Sequence, residues 1–171
     1  PANLLGAVRV AASPAAEGLG VLVVANDEIH AARFVRKTHT YKTSAFSSPA
    51  AGPLGWIVED RVRIVMRPMS PSPLLTWKRE PPLVAVVVIG MAMEPAVIEA
   101  IADLKPAGIV VAALGAGHVP PAIAKALGKL AAHIPVVLAS RIGTGEMCQH
   151  TYAYAGSEVD LLGRSLVPGG Y

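Results

Sequence analysis

A basic segment rich in hydroxyl groups follows the first strongly apolar stretch of the chain. Residues 23–43 read VVANDEIHAARFVRKTHTYKT, and Lys37 lies there next to Arg36 and close to Arg33 and Lys42. Neighbouring positive charge disfavours the ammonium form of a lysine. A neutral lysine can take a proton from a hydroxyl group and make the oxygen a nucleophile. Lys37 is therefore a candidate catalytic base, and the alternative interpretation is an exposed lysine in a polar loop.

Several hydroxyl groups are candidate partners of that base. Thr38 follows it directly, and Thr40, Tyr41 and Thr43 come within the next five residues. Thr144, in RIGTGEM, follows an apolar run that predicts a strand. Open α/β sheets build their sites at the C-terminal ends of strands. The sequence leaves the choice among these hydroxyl groups open.

A carboxylate of possible function lies near the C-terminal end. The segment YAYAGSEVDLLGRS, residues 152–165, places Glu158 directly after Gly156-Ser157. Ser157 and Asp160 have the Ser-x-x-Asp spacing typical of a helix start, which is one interpretation of the segment. The other is that Glu158 is an anionic clamp for the ammonium group of a substrate.

Three further kinds of site find little support. GAGH, residues 115–118, carries Gly-x-Gly without the third glycine of the dinucleotide fingerprint, so we expect only a tight turn. The histidines lack metal-binding spacing and Cys148 is the only cysteine, which excludes a thiolate zinc site. We expect His30 and His133 at the surface or at helix ends. No Gly-x-Ser-x-Gly signals a serine hydrolase.

Composition bounds the class of protein. The 171 residues carry a formal net charge of +3, and 5% are aromatic, which is not the dense basic and aromatic pattern typical of nucleic-acid binding. No apolar run reaches the roughly 18–20 residues that span a bilayer, so no membrane partner is expected. No export leader is visible and Pro1 is compatible with a trimmed start methionine, so we expect a cytoplasmic protein with its own N-terminus at Pro1.

The first part of the chain predicts a mixed set of elements. A helix is expected over 4–12, ended by Ser13-Pro14. The continuous apolar run at 20–25 predicts a strand covered on both faces. Alternation over 56–65 around Glu59-Asp60 predicts a hairpin. Five prolines among residues 66–82 predict a stiff linker.

A regular alternation follows. Apolar runs predict buried strands at 83–89, 108–114 and 135–140. Between them, helical periodicity begins near Pro95 and near Pro120 or Pro121, and two apolar faces are expected: Val97, Ile101 and Leu104 on the first helix, and Ile123, Leu127 and Leu130 on the second. Strand–helix alternation with short connections predicts parallel strands. The fold class is therefore α/β, three-layered, with mostly parallel sheets in two unequal lobes.

One combination of motifs is specific enough to indicate a protein family. The strand, Asn26-Asp27, the Val-x-Lys-Thr of 35–38, Phe46 and the Gly-Pro-Leu-Gly of 52–55 together resemble the lysine-bearing segment of bacterial L-asparaginases of the asparaginase/glutaminase family. TGEMCQHTYAYAGSEVD after the third strand agrees with it. The resemblance implies a truncated asparaginase-like organisation: residues 1–65 as a partial N-terminal lobe with a hairpin, 66–82 as the linker, and 83–171 as a C-terminal βαβαβ lobe.

The resemblance also implies an activity. The family hydrolyses L-asparagine, and in some members L-glutamine, through an acyl-threonine, without a metal or organic cofactor. Lys37 matches the family lysine, and Glu158 matches the acidic residue that a partner subunit contributes to the substrate's amino group. The implied assembly is a homodimer or homotetramer.

One departure affects the activity. The printed chain contains neither the Gly-Gly-Thr nor the Gly-Thr-Asp-Thr that supplies the family's threonines, and we expect it to begin after both and to stop before the last helix. Thr38 and Thr144 are then the candidate substitutes. The alternative hypothesis is a non-catalytic fragment that retains only assembly surfaces.

Overall fold

The computed structural model describes residues 1–69 and 80–170. The chain divides into two compact units, Pro1–Trp77 and Lys78–Tyr171. Most of the predicted linker, residues 70–79, lies outside the described part, so the predicted lobe boundaries stay predictions. Among the described residues, no helix is both long enough and apolar enough to cross a membrane.

The first unit is built on an antiparallel sheet. Its helix and strands are α1 (Ala2–Ala11), β1 (Leu22–Ala25), β2 (Glu28–Ala31), β3 (Arg36–Lys37), β4 (Phe46–Ser47), β5 (Gly55–Val58) and β6 (Arg61–Ile64). Four strands form a sheet in the order β1-β2-β5-β6, and β3 and β4 form a separate two-stranded ribbon. The predicted helix at 4–12 and the predicted hairpin at 56–65 are confirmed.

The turn after β1 explains why this sheet is antiparallel. Asn26 and Asp27 have φ angles of 51° and 60°, the left-handed pair that closes a tight two-residue hairpin and that Asn and Asp tolerate. The chain therefore reverses at once and β2 pairs with β1. The expected coverage of residues 20–25 on both faces is wrong, because β1 is an edge strand whose first three residues are only half-buried.

The second unit is a parallel α/β layer structure. Its elements are β7 (Val84–Val88), α2 (Pro95–Asp103), β8 (Gly108–Ala113), α3 (Pro121–Ala131), β9 (Val136–Ser140), α4 (Glu158–Gly163) and β10 (Val167–Pro168). The strand order is β10-β9-β8-β7, and every pair is parallel. The three predicted strands and the α/β class are confirmed, with the parallel arrangement confined to this unit.

The core of the second unit lies between this sheet and the helices. On α3 the predicted apolar face is confirmed, since Ile123 and Leu127 are fully buried. On α2 the predicted face is confirmed for Ile101, which packs against the core, and wrong for Val97 and Leu104, which are exposed. Ile98 is the fully buried residue of this helix, because the side of the helix that faces the sheet is centred between Ile98 and Ile101.

Strand β7 is also less buried than predicted. Val87 faces the core, but Val84, Val86 and Val88 on the other face are exposed by 49%, 69% and 59%. Alternation of this kind is what an edge strand with one covered face produces. A continuous run of valines therefore did not mean burial on both faces here.

The backbone segment directly before α4 requires a glycine at position 156. Gly156 has a φ of +87°, and a Cβ at this position would collide with the backbone carbonyl of Val119. Its own carbonyl accepts the N–H of Val119 at 2.8 Å. This contact ties the segment before α4 to the segment before α3.

We expect Gly156→Ala to lower the free energy of unfolding by about 1–3 kcal/mol, because the new methyl group meets backbone and the left-handed φ disfavours alanine. Urea titration followed by circular dichroism measures it. Gly163→Ala is the matched control, since a Cβ there meets nothing within 4 Å. Equal stability of wild type and Gly156→Ala would contradict this packing.

Candidate functional site

Lys37 lies on a short ribbon in the first unit. β3 pairs antiparallel with β4, which places Lys37 opposite Phe46. The N–H of Thr38 donates to the carbonyl of Ala45 at 2.7 Å, and its hydroxyl donates to the same carbonyl at 3.1 Å. The Lys37 side chain is exposed, and no ion pair or hydrogen bond holds its amino group within residues 1–69 and 80–170. The lysine is thus available to a substrate on a backbone that is fixed.

A buried histidine anchors this ribbon. His30 in β2 is fully buried, and its Nδ1 lies 3.0 Å from the Oγ of Ser48, the residue directly after β4. Its Nε2 lies 3.2 Å from Oε2 of Glu28 but without the alignment of a hydrogen bond. The expected surface location of His30 is wrong, because β2 is an inner strand with neighbours on both sides.

Glu158 begins helix α4 in the second unit. Ser157 is the N-cap and accepts the N–H of Asp160, so the interpretation as a helix start is confirmed. The Glu158 side chain is nevertheless fully buried. Its Oε1 accepts the N–H groups of Thr151 and Tyr152 at 2.9 and 2.7 Å, and its Oε2 lies 3.1 Å from His118 Nε2.

These contacts set the charge state of the carboxylate. Burial alone raises the pKa of Glu158. The N–H groups of Tyr152, Glu158 itself and Thr151, together with the His118 side chain, lower it by more, so the pKa lies below its usual value of 4.5. Glu158 is therefore an ionised carboxylate in a water-excluded position, which is the state required to attract a cation.

The charge on Glu158 fixes the protons on His118. An ionised carboxylate can only accept, so His118 Nε2–H is the donor of that bond. In neutral imidazole the other nitrogen is then an acceptor. In that tautomer the Tyr154 hydroxyl, 2.8 Å from His118 Nδ1, is the donor of the bond. The Tyr152 ring packs edge-on against the imidazole, with centroids 4.9 Å apart.

A second carboxylate braces the same helix end. Asp160 Oδ1 accepts from Arg164 Nε at 3.0 Å, and its Oδ2 accepts the Gly156 N–H at 2.8 Å. The hydrogen bond from Arg164 is the largest influence on Asp160 and lowers its pKa, burial acts against it, and the Gly156 N–H and the Arg164 charge add to the lowering. This pair holds the turn in front of Glu158.

Thr144 lies elsewhere in the second unit. It is exposed in the loop after β9, between two glycines with positive φ, and no hydrogen bond joins it to Glu158. Of the predicted site residues, Lys37 and Thr38 are adjacent on their ribbon, whereas Thr144 and Glu158 are not brought together. Within the two described ranges, no group of histidine, cysteine and carboxylate side chains has the arrangement of a metal site.

The sequence missed His118 and Tyr154 as partners of Glu158. The GAGH segment is the tight turn we expected, closed by reciprocal backbone hydrogen bonds between Leu114 and His118. Its position after a parallel strand was the one available signal, because that edge of the sheet also receives the loop after β9. Nothing in the spacing of residues 118, 154 and 158 indicated that they meet.

We expect the free energy of unfolding to decrease as the pH falls, and part of that decrease to come from protonation of Glu158. Because its native pKa is lowered, the unfolded chain takes up the proton first as pH falls. The stabilisation is complete above about pH 4.5 and is lost as pH falls through the native pKa. Glu158→Gln should therefore show a shallower loss of stability than wild type between about pH 5 and pH 3.

The measurement is thermal unfolding by circular dichroism across that pH range. Glu146→Gln, a change of the same charge at an exposed position, is the control. Parallel pH profiles for wild type and Glu158→Gln would count against the buried, ionised carboxylate.

Comparison with known proteins finds two family models that match the chain. The family described as "Asparaginase, N-terminal" matches residues 1–70, and "Glutaminase/Asparaginase C-terminal domain" matches residues 83–171. An L-asparaginase of Bacillus licheniformis is 30% identical over 168 residues, covering 98% of this chain and 52% of the relative. A probable periplasmic L-asparaginase of Haemophilus influenzae is 36% identical over 166 residues, covering 94% and 46%.

A solved structure agrees with the sequence matches. The crystal structure of a probable cytoplasmic L-asparaginase from Campylobacter jejuni superposes with a TM-score of 0.80 at 32% identity, covering 86% of this chain and 51% of that one. The chain thus spans about half the length of the relatives it matches. Two family matches that together cover nearly all of its residues establish that the chain belongs to the asparaginase/glutaminase family.

Proposed function

We propose that this chain carries out L-asparaginase-type amide hydrolysis, converting L-asparagine to L-aspartate and ammonia, with L-glutamine as a second substrate. The observation that carries the proposal is the exposed Lys37 amino group, free of any acidic partner in the described residues, on a ribbon anchored by His30. A base must be reachable and must not be engaged by a carboxylate. Family membership supplies the reaction class.

In the proposed mechanism, the Lys37 side chain takes the proton of a threonine hydroxyl as the threonine oxygen attacks the side-chain amide carbon. The C–N bond then breaks, and the nitrogen leaves as ammonia after receiving a proton from the Lys37 ammonium. Water hydrolyses the acyl-threonine and frees the enzyme. Thr38 and Thr144 are the candidate nucleophiles. The Thr38 hydroxyl is already engaged by Ala45, whereas Thr144 is exposed without a hydrogen-bond partner in the described part.

Glu158 has a separate role in this proposal, namely attraction of the substrate's ammonium group. Its Oε2 accepts from His118, and a carboxylate oxygen has room for a second donor. The Glu158 side chain is fully buried, whereas 21% of the His118 side chain is exposed. A substrate ammonium would reach Oε2 after the rings of His118 and Tyr154 move aside.

We expect substitution of the two groups to change different kinetic constants. Lys37→Ala should lower kcat by about 10²–10⁴-fold, because proton transfer is needed only in the transition state. Glu158→Gln should mainly raise KM, by about tenfold or more, since a charge-assisted bond of about 1.5–3 kcal/mol acts in the ground state too. Ammonia release from L-asparagine by the 171-residue chain measures both.

Two controls separate base chemistry from charge. Lys37→Arg keeps the positive charge but cannot accept a proton, and it should be as slow as Lys37→Ala. Lys125→Ala removes an exposed lysine on helix α3 of the second unit and should leave kcat unchanged. Substitution of Thr38 and of Thr144 by valine then identifies the nucleophile. Full turnover by Lys37→Ala would refute the proposed base, and no ammonia release from wild type would favour the non-catalytic fragment.

We further propose that the chain forms a homodimer or homotetramer in the cytoplasm. The support is apolar surface within each unit: Leu4, Leu5 and Val8 are exposed by 72%, 53% and 59% on α1, and β7 exposes three valines. Contiguous apolar surface of this kind favours association. Multi-angle light scattering at micromolar concentration is expected to give a dimer or tetramer, and a monomer would contradict the assembly.

A further inference from the structure

Three side chains of the second unit form a continuous carboxylate–imidazole–hydroxyl chain. Glu158 Oε2 lies 3.1 Å from His118 Nε2, and His118 Nδ1 lies 2.8 Å from the Tyr154 hydroxyl. We propose that Tyr154 is a nucleophile that accepts acyl groups from activated esters, an activity separate from amide hydrolysis. The proposal uses neither Lys37 nor a threonine, so it stands or falls independently of the asparaginase activity.

The position of the proton on the His118 ring is what makes the Tyr154 hydroxyl reactive. The buried carboxylate holds the proton of His118 on Nε2, and Nδ1 is left with a lone pair aimed at the Tyr154 hydroxyl. When the tyrosine oxygen attacks, its proton passes to Nδ1, and the imidazolium that forms is stabilised by Glu158. This is the arrangement by which a histidine and an oriented carboxylate activate a hydroxyl nucleophile elsewhere.

Access of a substrate to the hydroxyl group distinguishes the Glu158–His118–Tyr154 series from a second hydrogen-bonded series of similar composition. Ser48, His30 and Glu28 also lie in series, at 3.0 and 3.2 Å, but Ser48 is only 4% exposed and His30 is fully buried. A substrate cannot reach that serine, so its bonds serve packing. The Tyr154 side chain is exposed by 52%, and its oxygen can meet a substrate.

The covalent step balances within the three side chains and water. The Tyr154 oxygen forms a bond to the ester carbonyl carbon and its proton goes to His118 Nδ1. The bond from that carbon to the alkoxy oxygen breaks, and the leaving group departs with the electron pair. The imidazolium then releases the proton on Nδ1 to solvent. In the second half, His118 Nδ1 takes a proton from water as the water oxygen attacks the acyl carbon. The bond from that carbon to the Tyr154 oxygen breaks, the tyrosine oxygen takes the proton back from Nδ1, and the carboxylic acid leaves.

The same surroundings select the substrate class. The N–H groups of Thr151 and Tyr152, three and two residues before Tyr154, are both taken by Glu158 and are not available to a developing oxyanion. Acyl transfer therefore needs a substrate whose leaving group departs without much help. Aryl esters fit, because a nitrophenolate leaves as a stable anion without a proton, whereas simple amides and alkyl esters do not.

The test uses the 171-residue chain and 4-nitrophenyl acetate. We expect a burst of 4-nitrophenolate that approaches one equivalent per chain, together with one acetyl group on the peptide that contains Tyr154, located by tandem mass spectrometry. Tyr41 is the internal reference, since it is 84% exposed and lies edge-on to His39 without a hydroxyl–imidazole hydrogen bond. Acetylation of Tyr41 should be slower.

Variants test each member of the Glu158–His118–Tyr154 series. Tyr154→Phe removes only the hydroxyl at an exposed position and should abolish the burst. Tyr152→Phe is the matched control, because the Tyr152 hydroxyl makes no hydrogen bond in the described part, and it should keep the burst. His118→Gln should slow acetylation by about 10²–10⁴-fold, the usual contribution of a general base.

Glu158→Gln gives the sharpest readout. A glutamine amide that keeps its oxygen toward the N–H groups of Thr151 and Tyr152 presents NH₂ to His118, which favours the other imidazole tautomer. Nδ1 then carries the proton and cannot accept the one on Tyr154, so acetylation should be lost although Tyr154 is untouched. An undiminished burst in Tyr154→Phe, acetyl groups only on lysine or Cys148, or full reactivity of Glu158→Gln would each overturn the proposal.

Discussion

An ionised carboxylate is stable inside a protein only where fixed N–H groups take the place of water, and in the second unit this requirement centres on Glu158. Two backbone N–H groups of the loop before α4 and one imidazole N–H from the turn after β8 meet it. Three separate segments are thereby held at one point. Loss of the carboxylate side chain would leave all three of these N–H groups without an acceptor, which is a larger disturbance than the loss of one hydrogen bond.

The first unit solves a different problem, namely how a ribbon of two-residue strands keeps its shape. Such a short pairing is marginal by itself. The Thr38–Ala45 hydrogen bonds close the ribbon, and His30 joins Ser48 at its end to the larger sheet. The position of the Lys37 backbone therefore depends on a buried polar contact in a neighbouring strand rather than on hydrophobic packing of its own.

Periodicity in the sequence predicted much of this fold because buried residues recur with the period of the strand or helix that carries them. The runs that became β7, β8 and β9 and the apolar face of α3 were visible in that way. Burial on one face or two was not visible, since a run of valines looks the same in an edge strand as in an inner one. Partners distant in the chain were equally hidden: Glu158 stood out as a residue, but its imidazole comes from forty residues earlier.

The exposed valines of β7 also bear on the tendency of an open strand edge to aggregate. An edge strand with apolar side chains on its open face is the kind of segment that stacks with copies of itself in cross-β aggregates. Pro81 and Pro82 stand immediately before Leu83 and this strand, and neither has an N–H to give to an added strand. The two prolines therefore limit any such pairing to the residues of β7 itself.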